Sequence, residues 1–143
     1  MKAALLDVNV LIALLDSAHV HHRTALSWLG NNIGNGWASC PITQNGCVRV
    51  MSQSAYPNSR PPGEIAARLR DATLSPRHQF WADDVSLMDT QMFDWQQLFS
   101  ARQLTDAYLL ALAVRHSGVF VTFDHALPLQ AVAGASAKHL MLI

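Results

Sequence analysis

Three aspartates stand at places where a fold could make them act together. Asp7 closes the apolar run Ala3 to Leu6, Asp124 follows the apolar run Val119 to Val121, and Asp106 opens the helical segment before that second run. An Asp placed just after a buried strand lies at the strand's carboxyl end, which in an open parallel sheet borders the ligand crevice where strand order reverses. Carboxylates brought within several Å raise one another's pKa, so such a group is costly unless a cation neutralises it. An oxygen-only donor set favours Mg²⁺ or Mn²⁺ over zinc. Such an ion holding a water beside a phosphate gives the chemistry of phosphodiester hydrolysis. Taken singly, Asp7 and Asp106 could serve only as helix caps or first-turn acids. Their combination with Asp124 is what points to a site.

The elements that must position these residues are legible from periodicity. Ala3 to Leu6 reads as a strand, and Val10, Leu11, Leu14 and Leu15 follow at helical spacing. A second helix is expected from about Ala18 to Gly30, a strand over Trp37 to Cys40, and a helix opening at Pro41 and ending before Tyr56-Pro57. Pro61 to Leu74 predicts another helix, Phe80-Trp81 a strand, and Thr90 to Phe93 a short helix. The segment TDAYLLALAVRHSG predicts a helix capped by Thr105 or Asp106 and stopped by Gly118. Val119 to Val121 and His139 to Ile143 complete the strands. Strands alternating with helices predict an α/β domain: a parallel sheet with helices on both faces.

The segments LLDVNVLIALLD, CPITQNGCVRV, LTDAYLLALA and VFVTFD occur in this order. In that order and spacing the chain resembles the PIN-domain ribonucleases of the VapC toxin type, from Met1 to about Leu127. The resemblance implies a single PIN domain over residues 1–143, a three-layer α/β/α fold with a short, mostly parallel sheet of four to five strands. It implies a nuclease that uses Mg²⁺ or Mn²⁺ to cleave RNA, often tRNA or rRNA, as the toxin of a type II toxin–antitoxin system. A homodimer and a cognate antitoxin covering the active-site edge are the implied partners. Asp7, Asp106 and Asp124 then take the metal-site and catalytic positions, with Asn9 and Thr122 as supporting polar groups. One position departs: Gln44 stands in Thr43-Gln44-Asn45-Gly46 where many members carry Glu. Gln keeps an acceptor oxygen but loses the charge, so metal affinity is expected to fall, and Gln44→Glu is expected to tighten it.

Other polar residues carry weaker signals. Asp83 or Asp84 could supply the missing charge, although a polar turn after a strand explains them as well. His19, His21 and His22 read as a solvated helix start without a metal-ligand pattern, and His125 adjoins Asp124 but is expected to point away from it. Arg49, Arg102 and Arg115 are candidates for offsetting phosphate charge, with surface solvation or ion pairing as the plain alternative.

Composition sets the outer bounds. The chain has 143 residues, half of them apolar, and its ten basic and ten acidic side chains cancel. A neutral chain has no broad basic field to hold nucleic acid non-specifically, so a polyanion must be gripped locally. Nine of the ten acids are Asp, with Glu64 the exception, and eight of the ten bases are Arg. Cys40 and Cys47 fit neither a zinc framework nor a disulfide scaffold and read as buried thiols of a cytoplasmic protein. Asp7 and Asn9 interrupt the N-terminal apolar run, which argues against a signal peptide, and no stretch is long enough to cross a membrane. The four Trp and five Phe suggest that some aromatic surface faces a partner. Receiver-type phosphoacceptor and haloacid-dehalogenase-type readings each lack a required second acid. The alternative kept open is a catalytically weak PIN module that binds RNA or an antitoxin without cleaving.

Overall fold

The computed structural model describes residues 2–143. Five strands form one sheet: β1 (Ala4–Leu6), β2 (Trp37–Ser39), β3 (His78–Phe80), β4 (Val119–Thr122) and β5 (Leu140–Leu142). All neighbours pair parallel, in the spatial order β3-β2-β1-β4-β5. The helices are α1 (Val8–Leu15), α2 (His22–Asn32), α3 (Pro41–Met51), α4 (Pro62–Thr73) and α5 (Leu104–Arg115). The chain builds outward from β1 to β3 and then crosses back to β4 on the other side of β1, so the order reverses between β1 and β4. That reversal point is where a crevice opens at the strands' carboxyl ends.

Alternation along the strands divides the core into two layers. Leu5, Ala38 and Phe120 pack with α5, whereas Leu6, Trp37 and Val121 pack with α1, α3 and α4. Successive strand side chains point to opposite faces, so both faces of so short a sheet must be covered, and its strands read as unbroken apolar runs. The chain adopts the expected three-layer α/β/α arrangement, with five strands, all parallel, where a mostly parallel sheet of four to five was expected. Cys40 and Cys47 lie one in each layer, both free and fully buried.

Several boundaries differ from the sequence expectation, each for a local reason. Helix α2 starts at His22 rather than near Ala18, because Asp16 Oδ1 accepts from Ala18 N–H and His19 Nδ1 from His21 N–H, holding the segment in turns. It also runs through Gly30, and the chain reverses only at Gly36, where φ is +81°. Thr90 to Phe93 forms no helix. Asp89 Oδ1 accepts from Gln91 N–H, and Phe93 bridges to Val132. The third strand lies at His78–Phe80, leaving Trp81 to turn into the α5 layer.

Helix α5 is not capped by Thr105 or Asp106. A 3-10 turn over Ala101–Gln103 leads into it, with Gln103 Oε1 accepting from the Phe99 and Ser100 backbone. At its other end Ser117, not Gly118, takes the left-handed conformation, with φ +54°. Gly118 is required for another reason: a Cβ there would lie 2.5 Å from Trp81 Cη2 and 2.6 Å from the Ala3 carbonyl oxygen.

Candidate metal and nuclease site

The register of β1 on β4 places Leu6 opposite Val121, and the Asp7 N–H donates to the Val121 carbonyl at 2.9 Å. Asp7 and Thr122 therefore leave the sheet side by side. Asp7 is 6% exposed. Its Oδ1 accepts from Val8 N–H at 2.7 Å, capping α1, and its Oδ2 accepts from the Thr122 hydroxyl, also at 2.7 Å. Thr122 Oγ1 in turn accepts from Asp124 N–H at 3.0 Å, while Asp124 Oδ1 accepts from Ala126 N–H in a tight turn. One hydroxyl thus ties both strand-end aspartates into a single rim.

Asp106 reaches the same rim from α5. The helix runs back along the sheet, so its first turn lies at the strands' carboxyl ends, and the preceding 3-10 turn leaves the Asp106 carboxyl free of capping duty. Burial first, then the negative charges of Asp7 and Asp124, push the Asp106 carboxyl up to about 7, and it lies within hydrogen-bonding reach of Asp124. Asp7 is also raised, by burial above all, against the lowering effect of its bonds to Thr122 and Val8. Asp106 thus feels both other carboxylates, and Asp7 feels Asp124, with no counter-charge among the causes. Among the described residues no three Asp, Glu, His or Cys side chains already form a finished metal cage. The oxygen-only donors and their repulsion nevertheless suit a hard divalent cation, which would draw the carboxylates inward.

The other residues singled out from sequence divide clearly. Asn9 is exposed in the first turn of α1, one residue beyond Val8, and Thr122 is the buried bridge just described. Gln44 turns elsewhere: its amide donates to Ser39 Oγ at 3.0 Å, Ser39 Oγ pairs with His78 Nε2, and the side chain lines a cavity against α4 with Leu69 and Arg70. Its neighbour Asn45 instead faces a cavity of about 360 Å³ with Val8, Ile42, Arg49, Asp83 and Thr105. Sequence reasoning missed Asn45, since only the packing of α3 between α1 and α4 decides which of two adjacent positions looks toward the rim.

Of the arginines, Arg49 lines that cavity, and Arg102 is exposed on the turn leading into α5. Arg115 is at the far end of α5, nine residues and about 13 Å from Asp106, and pairs with Asp84 at 3.4 Å. Asp84 also meets His116, so it is engaged far from the rim, while Asp83 remains in the cavity. His125 is exposed beside Asp124, and His21 packs its ring 4.8 Å from Phe123.

This fold is that of a PIN domain, and the PIN domain model matches residues 4–134. The chain is 53% identical over 137 residues to Ribonuclease VapC44 of Mycobacterium tuberculosis, covering 96% of each chain. It is 46% identical to Ribonuclease VapC39 of the same organism over 132 residues, covering 92% of this chain and 95% of that one. A crystal structure of VapBC2 from Rickettsia felis bound to a promoter DNA fragment shares the fold, with TM-score 0.59 and 13% identity over 85% of this chain and 88% of that one. The chain belongs to the PIN-domain family, among the VapC-type ribonucleases.

Proposed function

We propose that the chain acts as one domain, a metal-dependent endoribonuclease and the toxin of a type II toxin–antitoxin system. Structured RNA, tRNA or rRNA, is its substrate, and the cytoplasm its place of action. The observation that carries this reading is the shared rim of Asp7, Asp106 and Asp124, with Asp106 pushed up to about 7 by burial first and then by the charges of the other two. Asp7, Asp106 and Asp124 would hold Mg²⁺ or Mn²⁺. When bound, such an ion neutralises the rim, lets a phosphate approach and acidifies water.

The chain's own residues supply the rest. Thr122 fixes the Asp7 carboxylate and the Asp124 backbone in one orientation. Asp106 brings a third carboxylate to the rim from α5, a donor of the kind a hard divalent cation takes. Arg49 and Arg102 flank the approach and offset phosphate charge. A cognate antitoxin is the proposed partner, in keeping with the Ribonuclease VapC relatives, and a homodimer is the proposed assembly.

Incubation of antitoxin-free protein with total RNA and Mg²⁺ or Mn²⁺ tests the reading. Defined fragments that disappear with chelator or on Asp7→Asn support it. Intact RNA in every metal would leave a module that binds RNA or an antitoxin without cutting.

A further inference from the structure

Thr122 closes the edge of the rim between Asp7 and Asp124. The edge between Asp124 and Asp106 joins two separate stretches, the turn after β4 and the entry to α5, and among the described residues no backbone hydrogen bond connects them. Gln103, half-buried and three residues before Asp106, spans that gap. Its Oε1 accepts from Phe99 N–H at 2.8 Å and from Ser100 N–H at 3.3 Å, while its Nε2 donates to the Ala126 carbonyl at 3.3 Å. Ala126 N–H in turn donates to Asp124 Oδ1 at 2.8 Å. A single residue, Ala126, thus stands between the Gln103 amide and the Asp124 carboxylate. Reversing that amide would set its NH₂ group against the Phe99 and Ser100 N–H groups and its oxygen against a carbonyl, so its orientation is fixed. Glu at this place has an acceptor without a donor, Lys a donor without an acceptor, and Asn is one methylene short.

We propose that Gln103 is a positioning residue of the metal site: it staples the Asp124 turn to the entry of α5 and so keeps Asp124 beside Asp106 before a divalent cation arrives. The inference rests on the metal-dependent nuclease reading above. Like charges on the two carboxylates push this edge apart, and nothing on Asp106 itself opposes that push. The staple does, from outside the rim, without contributing a charge or a ligand. A turn ordered in advance spares cation binding the entropy of ordering it. Side chains that orient the ligands of a metal in this indirect way are worth about 10–100-fold in metal affinity. The 3.3 Å bond to Ala126 is long for an N–H donor, which puts Gln103 at the lower end of that range.

The test reads Mn²⁺ binding by the full chain without RNA, from the electron paramagnetic resonance signal of the free ion during titration. Gln103→Met keeps the length of the side chain and removes both donor and acceptor. It should weaken Mn²⁺ binding roughly tenfold in the wild-type background, but less than about twofold in a chain carrying Asp124→Ala, because Gln103 acts through Asp124. A side chain that merely supports the fold would lose the same factor in both. Equal losses in the two backgrounds, or no loss in either, overturn the proposal. Should Gln103→Met fail to fold, the wild-type chain decides. Its Gln103 side-chain amide protons, followed by NMR, should exchange with water several-fold more slowly than those of exposed Gln130, and more slowly still in Mg²⁺. Exchange as fast as at Gln130 overturns the proposal. The two readings fail distinguishably. A wild-type chain that binds no Mn²⁺ sinks both, binding indifferent to Gln103 sinks only the positioning role, and intact RNA beside Gln103-dependent binding sinks only the nuclease.

Discussion

Thr122 Oγ1 donates to Asp7 Oδ2 at 2.7 Å across 115 residues of sequence while accepting from the Asp124 backbone. A buried hydroxyl with both roles filled cannot be replaced by a methyl group of the same shape without cost. Thr122→Val should destabilise the chain by about 1.5–3 kcal/mol, the range for hydrogen bonds to charged groups. It should also raise the Asp7 pKa further, because the Thr122 bond is one of the effects that hold it down. Urea unfolding and an NMR titration of the Asp7 carboxyl would check both; unchanged stability would mean that the bridge is idle.

The metal-free chain should lose stability as pH rises. Asp106 moves from 3.8 to about 7 on folding, so between those values the folded state binds the proton that the unfolded state has released. Stability on this account is full below about pH 4 and declines through pH 7, by on the order of 2–4 kcal/mol. Asp106→Asn should flatten that decline and stabilise the metal-free chain at pH 8. Thermal unfolding of both chains from pH 4 to 8, with and without Mn²⁺, gives the answer: the cation should restore the wild type at high pH and do little for the variant.

Gln44→Glu should leave divalent-cation affinity within about twofold of wild type, contrary to what the motif alone suggests, since the side chain is turned to Ser39 and α4. A Glu there loses the donor that now serves Ser39 Oγ, and a net hydrogen-bond loss of about 1 kcal/mol is expected. Calorimetric titration showing markedly tighter metal binding would place position 44 at the rim after all.

Gly118→Ala should destabilise by about 1–3 kcal/mol, the usual cost of forcing extra atoms into a packed core. The added Cβ would press on Trp81 and on the Ala3 carbonyl. Because Trp81 also stacks on His116 at 4.4 Å, the displacement should be visible in tryptophan fluorescence as well as in the unfolding midpoint.

Much of the fold was legible because its strands are buried on both faces. An apolar run ended by Asp, as at Leu6-Asp7, names both a strand and its functional end. Periodicity could not show which face α3 presents to the rim. Adjacent helical positions differ by about 100°, so Gln44 and Asn45 exchange places according to how α3 packs on α1. Gly46 makes that packing close, since a Cβ there would come within 2.6 Å of Val8 Cγ2. The segments misread outright, around Ala18 and Thr90, are held by Asp16, His19 and Asp89 bonding to nearby backbone, a competition with helix that apolar spacing does not register.

The two thiols give the molecule a built-in clock. Burial holds Cys40 up to about 11 and Cys47 up to about 12, so neither supplies thiolate to an alkylating reagent while the sheet and its helices stay together. Because one sulfur sits on each side of the sheet, the relative rates at which they are modified tell which layer parts first.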